Sequence, residues 1–488
     1  MGIPLFIREW IVISGLIWIG TAFFYMFLEE KESLKWGSLL FLIVTAAYFS
    51  RKFLYFIPLL FIIIQFYLSK KSDIDRAAYY LMLLPIIPIK YFYQIPFPGL
   101  QQFFPLTYPR LLNILILLPL FFKLFFQHKK SFFSSKYEKC IVLYFLYVFI
   151  IGFRDMTFTG AFRHGFLIFI DYFLLYYVLS HCVSRKEDFE KLSKSMIFVS
   201  VILGFLGIFE VVKQWHLYNA MFTDAEKGLF GYAYRLGILR AQGTFAPIPF
   251  GGYFFLMSAI TILYYHLSKS PTRKRYLTIM PILFVALLCT VSRGPLVAYA
   301  IFIGVFLFLK KSKIFKMLPI TVAILAVISI TPLGRGIIAS LPFVGKAEQG
   351  SVQYRKKLLK NSIQVIKRYP VWGNVDFKKE PEMEELRSHG GRLIDVVNSY
   401  LQVVLEYGLV GLILFLSIFL TVLSALKRKF FFSGDPGYRI IGKLFFSAVI
   451  AWAVMVFTVS MVTFLPIYTW LLFGLSAGYA NINSDKFA

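Results

Sequence analysis

Apolar residues run through this chain in long stretches, broken every 20–30 residues by short clusters rich in Lys, Arg, Gly and Pro. Many stretches approach the ~20 residues that an α-helix needs to cross about 30 Å of hydrocarbon. They predict spans at 10–28, 35–50, 52–69, 77–94, 108–126, 138–153, 163–181 and 195–213, then at 248–267, 276–291, 293–309, 315–331, 399–426, 440–460 and 463–480. Fifteen is the upper count, because short paired runs are able to turn back within the membrane. The expected fold is all-α, a polytopic transmembrane helix bundle of about 12–15 spans. A β-barrel is excluded, since its strands alternate apolar and polar positions over about ten residues.

Composition agrees with this pattern. The 488 residues are 58% hydrophobic and only 16% charged, against roughly 45–50% and about 25% in soluble domains. A soluble enzyme, a disulfide scaffold and a disordered chain are all excluded. The first apolar run, Trp10 to Leu28, lacks a small-residue cleavage site and reads as a span, with no cleavable signal peptide expected. Cys140, Cys182 and Cys289 share no metal-ligand spacing and read as packing residues. No metal site and no cofactor is expected.

The formal net charge is +27. In a membrane protein such an excess first reflects Lys and Arg gathered in short cytoplasmic loops, so no nucleic-acid partner is inferred from it. Residues 129–139, 185–194, 269–275, 310–316 and 427–443 are short and basic, and with the spans above all five fall on one side. That side is expected to be cytoplasmic. The other side receives 94–107, 154–162, 214–247, the turn at Ser292-Arg293-Gly294 and the long stretch 332–398. The chain divides accordingly into N-terminal spans (1–194), central spans with an Arg-rich external loop at 214–247 (195–331), a large external loop (332–398) and C-terminal spans (399–488). The basic loops hold no phosphate-loop or dinucleotide motif, and no internal repeat supports a two-half transporter.

Chemistry is therefore sought outside. The segment from Arg235 through Arg240-Ala-Gln-Gly-Thr-Phe-Ala-Pro247 to Gly252 runs from a loop into a helix. Guanidinium groups are permanently charged and present forked donors that match phosphate oxygens. A helix N-terminus adds unpaired N–H groups. These arginines either hold a phosphate or anchor the helix at the headgroup layer. Arg293 sits in a tight turn between two apolar runs, where a charge at membrane depth costs roughly 2.5–3.5 kcal/mol and marks a function or a partner, or else snorkels at the turn.

The stretch 332–398 holds twelve Lys and Arg against seven Asp and Glu, an excess that the positive-inside rule does not account for. Within it, Ser351 to Tyr369 reads as an amphipathic helix with Val352, Leu359, Ile363 and Ile366 on one face and Arg355, Lys356, Lys360 and Lys367 elsewhere. Such a helix lies on a membrane surface or holds an anionic lipid head. Arg154-Asp155 and Arg163-His164 read as local pairs, and Asp171 and Glu210 as carboxylates with buried partners. His128, His181, His216 and His266 stand at span ends and receive no role.

Three pieces in order resemble the O-antigen ligase / O-antigen polymerase superfamily of bacterial surface-polysaccharide enzymes. They are the loop ending Arg240-Ala-Gln-Gly-Thr-Phe-Ala-Pro, the Ser292-Arg293-Gly294 turn, and the large loop with Tyr369-Pro-Val-Trp-Gly373 followed by Asn398-Ser-Tyr-Leu-Gln402 and Glu406-Tyr-Gly-Leu-Val-Gly411. The resemblance covers roughly residues 200–425. It implies a GT-C-like membrane glycosyltransferase of the bacterial cytoplasmic (inner) membrane with an outward-facing site. Such an enzyme takes a glycan from an undecaprenyl diphosphate carrier and passes it to an acceptor hydroxyl without metal or nucleotide. By this likeness Arg240 and Arg293 hold the diphosphate, with Arg235 and Arg355 as helpers. Membrane lipid and other polysaccharide assembly proteins are the further partners implied.

The family commonly has a His immediately before Asn-Ser-Tyr-Leu-Gln, taken as the base that activates the acceptor. Here Val397 stands there, and His389 and Asp395 upstream are the candidates for its role. That departure favours a polymerase of an exopolysaccharide, capsule or O-antigen pathway over a ligase. A flippase for lipid-linked oligosaccharides and a non-catalytic assembly partner are the competing readings.

Overall fold

The structure is a computed structural model that describes residues 3–50, 52–89, 91–95, 104–127, 135–221, 232–235, 237–311, 349–387, 394–461 and 463–482. The span expected at 315–331 lies outside these residues. Among the described residues the architecture is a helix bundle, with two short two-stranded hairpins as its only sheet. Seven helices among the described residues are long and apolar enough to cross a membrane, from Leu5–Phe27 to Pro436–Thr458. Shorter apolar helices at Ser33–Phe49, Phe53–Leu68 and Arg293–Leu309 stand among them.

The predicted span at 77–94 is corrected. The helix Asp73–Leu83 stops before Pro85 and Pro88, and the chain turns into a strand, Phe92–Gln94, paired antiparallel with Pro105–Thr107. Proline removes backbone donors, so carbonyls near the break need other partners in an apolar setting. Side chains supply them: Tyr108 Oη donates to the Leu83 carbonyl (3.0 Å), Thr244 Oγ1 to Pro85 (2.6 Å) and Tyr218 Oη to Ile86 (2.8 Å). Two of these donors come from the 214–247 loop, which is thereby fixed onto the N-terminal half.

Both carboxylates read as buried-partner groups have such partners. Arg110 forks onto Asp171 through Nε (2.9 Å) and Nη2 (2.8 Å). Glu210, fully buried, accepts from the amides of Leu217 (3.0 Å), Gln242 (2.9 Å) and Gly243 (3.0 Å). It closes the base of the Arg-rich loop from inside. Glu9 does the same one layer out, accepting from the Ala220 amide (3.0 Å) and from Tyr48 Oη (3.1 Å).

The basic loops meet at one end of the bundle. Lys186 pairs with Asp435 (3.1 Å), Lys194 with Glu30 (2.5 Å), Lys191 with Asp75 (3.2 Å) and Arg275 with Glu29 (2.6 Å). At the other end lie the arginine segments and the large loop.

The large loop carries the helix Gln349–Arg368. Its predicted apolar face is corrected. Leu359 and Ile363 are exposed, whereas Leu358, Asn361, Ser362 and Val365 turn inward. Leu358 and Val365 pack with Phe377, Met383, Leu386, Ile394 and Leu405 in a small core of their own. The rotation follows from those partners: the loop folds back on itself, and its own apolar residues decide which face is covered.

Candidate active site

The segment before Pro247 forms a hairpin, with Tyr234 opposite Leu239 and Arg235 opposite Ile238, turning through Gly237 at φ +73°. The Arg240 amide closes it on the Ala233 carbonyl (3.0 Å), and the Ala241 amide then bonds the Cys289 carbonyl (2.9 Å). That last bond carries the hairpin to the turn between helices Ile279–Cys289 and Arg293–Leu309. Two distant arginines then converge on this turn. Arg240 donates from Nε to the Thr290 carbonyl (3.2 Å) and from Nη2 to Ser292 Oγ (3.0 Å). Arg235 donates from Nη1 to the Val291 carbonyl (3.2 Å).

The turn is strained and anchored. Val291 has φ +44°, a left-handed conformation that costs a β-branched residue of order 1–3 kcal/mol and persists only where the surroundings impose it. Ser292 Oγ lies 3.1 Å from the Pro247 carbonyl and 3.0 Å from that of Thr290, and donates to one of them. Its position brings the start of helix Pro247–Leu267 against the start of helix Arg293–Leu309. Arg293 is the first residue of the latter helix, where unpaired N–H groups and the macrodipole both favour an anion. Arg235, Arg240 and Arg293 are thus gathered at one helix N-terminus, each half-buried.

Asp395 joins the site through the connection after helix Pro436–Thr458. Ser460 Oγ donates to Asp395 Oδ1. The Asp395 amide donates to Tyr354 Oη (3.1 Å), whose hydroxyl donates to the Asp395 carbonyl (2.9 Å). Ser399 Oγ donates to the Val459 carbonyl (2.7 Å). From the other side Gly294 packs so closely that an added Cβ would lie 2.7 Å from Thr458 Oγ1 and 2.8 Å from Val459 Cγ1. One short strip, 458–460, therefore touches both Gly294, next to Arg293, and Asp395. Arg355 is exposed and adjoins Tyr354 on the large-loop helix. His389 lies outside the described residues.

Residues of the Asn-Ser-Tyr-Leu-Gln motif prove to be joints. Asn398 Oδ1 caps the helix by accepting from the Tyr400 (3.0 Å) and Leu401 (3.1 Å) amides. Tyr400 Oη donates to the Ala453 carbonyl (2.9 Å), and Gln402 Nε2 to Glu406 Oε1 (2.9 Å). The Tyr-Pro-Val-Trp-Gly and Glu-Tyr-Gly pieces dock on one another. The Leu409 amide donates to Pro370 (2.9 Å) and that of Asn374 to Leu405 (2.7 Å), while Arg154 Nη2 donates to the Gly373 carbonyl (2.7 Å).

Residues 278–416 match the family model of O-antigen ligase. The matched segment, less than half of the chain, is similar to the O-antigen ligase/polymerase superfamily. Together with the apolar helices among the described residues, this supports a multi-pass membrane protein of the O-antigen ligase/polymerase type. Comparison with curated proteins finds no match. The O-antigen ligase segment contains Arg293, Asp395 and both docked glycine motifs, whereas Arg235 and Arg240 precede it. These two reach the segment through the hydrogen bonds to Thr290, Val291 and Ser292.

Sequence reading missed Ser460, Tyr354 and the 458–460 strip. Their residue types are unremarked at the end of an apolar run, and only the return of helix Pro436–Thr458 to the arginine end brings them to Asp395 and Gly294.

Proposed function

We propose that this protein is an integral membrane glycosyltransferase of the polymerase type. It moves a glycan from a polyprenyl (undecaprenyl) diphosphate carrier to an acceptor hydroxyl in surface-polysaccharide synthesis. The observation that carries this reading is the convergence of Arg235, Arg240 and Arg293 on the 290–293 turn at a helix N-terminus. In glycan transfer the acceptor oxygen bonds to the anomeric carbon as the bond from that carbon to the diphosphate breaks. The diphosphate leaves with the electron pair, and the acceptor's proton passes to a base. Fixed guanidinium groups and helix N–H groups aimed at the developing charge lower that barrier. They require no metal for the purpose.

Asp395, held by Ser460 and Tyr354, is the base favoured on this geometry, with His389 as the alternative and Arg355 as a helper to the diphosphate. The division of labour follows the chain: 195–331 supplies the donor arginines, 332–398 the external loop with the base, and 1–194 and 399–488 the enclosing helices. The arginine end faces outward from the bacterial cytoplasmic membrane and the paired basic loops face the cytoplasm, in accord with the positive-inside rule. Other assembly proteins of the pathway are the partners expected there. A ligase of the same superfamily would use the same donor end with a different acceptor, and the description of the matched family favours it as the second reading.

The test is the detergent-purified protein with an undecaprenyl-diphosphate-linked repeat unit and no added metal or nucleotide, read by glycan length on a gel. A ladder lost in Arg293→Ala establishes the polymerase. Single transfer to a lipid acceptor establishes the ligase. A ladder that survives in Arg293→Ala overturns the assignment of the site, and no product from the wild-type protein overturns the enzyme.

A further inference from the structure

A cavity of about 200 Å³ adjoins the 458–460 strip, with Met461 and Ser399, whose hydroxyl donates to the Val459 carbonyl, in its wall. Its polar lining is Gln402, Glu406 and His164, and aromatic rings from Tyr172 and Trp470 complete it. His164 Nε2 is buried and has no hydrogen-bond partner among the described residues. A buried, unpaired polar atom costs ~1–3 kcal/mol, and native structures rarely leave one without a partner. Packing voids are apolar and stay dry, and this cavity is neither wholly apolar nor satisfied. Its size is below the ~300–1,000 Å³ of sites for drug-sized ligands, so it suits one ring-sized group.

The donor set narrows the chemistry. Glu406 brings carboxylate acceptors, Gln402 an amide that both donates and accepts, and His164 a ring nitrogen of either role. Gln402 Nε2 already holds Glu406 Oε1 at 2.9 Å, which fixes the carboxylate in place. Flat aromatic walls beside convergent hydroxyl-binding groups match a pyranose, which shows C–H bonds on its faces and hydroxyls at its rim. Trp470 is held rigid against Phe145, with ring centroids 4.5 Å apart.

We infer that this cavity is a carbohydrate subsite that receives the terminal sugar of the acceptor glycan, linked to the arginine site through the 458–460 strip. The inference rests on the glycosyltransferase reading for the word acceptor, but the binding itself does not. One strip touches both sites: Thr458 and Val459 pack on Gly294, Ser399 of the cavity wall donates to Val459, and Ser460 holds Asp395.

The test uses the full chain in detergent and a panel of free glucose, galactose, mannose, rhamnose, N-acetylglucosamine and glucuronate at millimolar concentration. The readout is amide hydrogen exchange. At least one sugar is expected to slow exchange in 399–407 and 158–172 about tenfold, and to do so in neither Glu406→Gln nor His164→Ala. Both variants are checked for the wild-type unfolding midpoint. Protection by no sugar, protection elsewhere in the wild-type chain, or protection retained in both variants overturns the subsite. A parallel titration with farnesyl diphosphate, compared with Arg293→Ala, tests the donor site separately. Sugar binding without diphosphate binding would leave the subsite standing and remove the glycosyltransferase reading, and the converse would do the reverse.

Discussion

Gly373 and Gly408 meet backbone to backbone: a Cβ on Gly373 would overlap the Gly408 nitrogen, and one on Gly408 would overlap the Val371 carbonyl. Both have positive φ, +69° and +67°. The contact interrupts the helix Ser399–Phe432 at Gly408 and fixes the exit of the large loop. Tyr147 Oη takes up the Tyr407 carbonyl at the break (2.7 Å).

Alanine at either glycine therefore meets both a left-handed conformation and a clash. A residue other than Gly at such positive φ costs of order 1–3 kcal/mol before the clash is counted, and Gly408, with ψ −169°, lies in a region essentially confined to Gly. Gly408→Ala is expected to lower the thermal midpoint of the detergent-purified protein by several degrees. Gly373→Ala should do the same, and the double variant should lose less than the two losses added, because one contact is broken twice. Additive losses would mean that the two glycines act separately.

Arg240 forks across Thr290 and Ser292, and lysine cannot reproduce two donors in a fixed plane. Arg240→Ala and Arg240→Lys are both expected to reduce glycan transfer by about 10²-fold or more, with the amount of folded protein unchanged. A lysine variant near wild-type rate would show that charge alone is needed there.

Ser460 holds Asp395 from a separate helix connection. If Asp395 takes the acceptor's proton, Asp395→Asn abolishes transfer. Ser460→Ala should then lower kcat about tenfold while leaving the KM of the lipid donor in place. A Ser460→Ala variant altered only in donor KM would place this pair on the diphosphate instead.

Glu210 is the structural contrast. Its carboxylate receives three amides of the Arg-rich loop, and its removal leaves those donors buried, at ~1–3 kcal/mol each. Glu210→Ala is expected to lower the thermal midpoint further than Arg240→Ala does, and to lose activity through lost fold. Equal midpoints would show that the loop is held by other means.

In the large loop, the Glu382 carboxyl is held below its ordinary range, first by its own backbone amide and then by Arg368, which donates from Nη2 at 2.7 Å. Arg368 also pairs with Glu380. A carboxyl lowered in the folded state contributes stability above its unfolded pKa, near 4.3 for Glu, and loses it as pH falls through the lower folded value. Proteolysis at 369–387 is therefore expected to quicken below about pH 4, and Glu382→Gln should flatten that dependence. An identical pH profile in the variant would remove the pair from the account.

The sequence by itself determined the helical class, most of the span boundaries and which residues are arginines at span ends. Apolar run length and charge placement follow directly from the thickness and dielectric of a membrane. It also singled out Arg235, Arg240 and Arg293 as permanent charges at span ends, whereas the two glycine motifs stood out only through the family resemblance and their docking was not foreseen. It misread 77–94, where Pro85 and Pro88 end a helix inside an apolar run and side chains from residues 108, 218 and 244 take over the carbonyls. It misplaced the buried face of Gln349–Arg368, since that face is chosen by Phe377, Met383 and Leu405 and not by the helix's own periodicity. Only the tertiary structure decided that Arg235 and Arg240 bond the turn before Arg293. Only it decided that residues 458–460 contact both Gly294 and Asp395. Hydrogen bonds between segments 50 or more residues apart depend on how helices return to one end of the bundle, and no local pattern encodes that return.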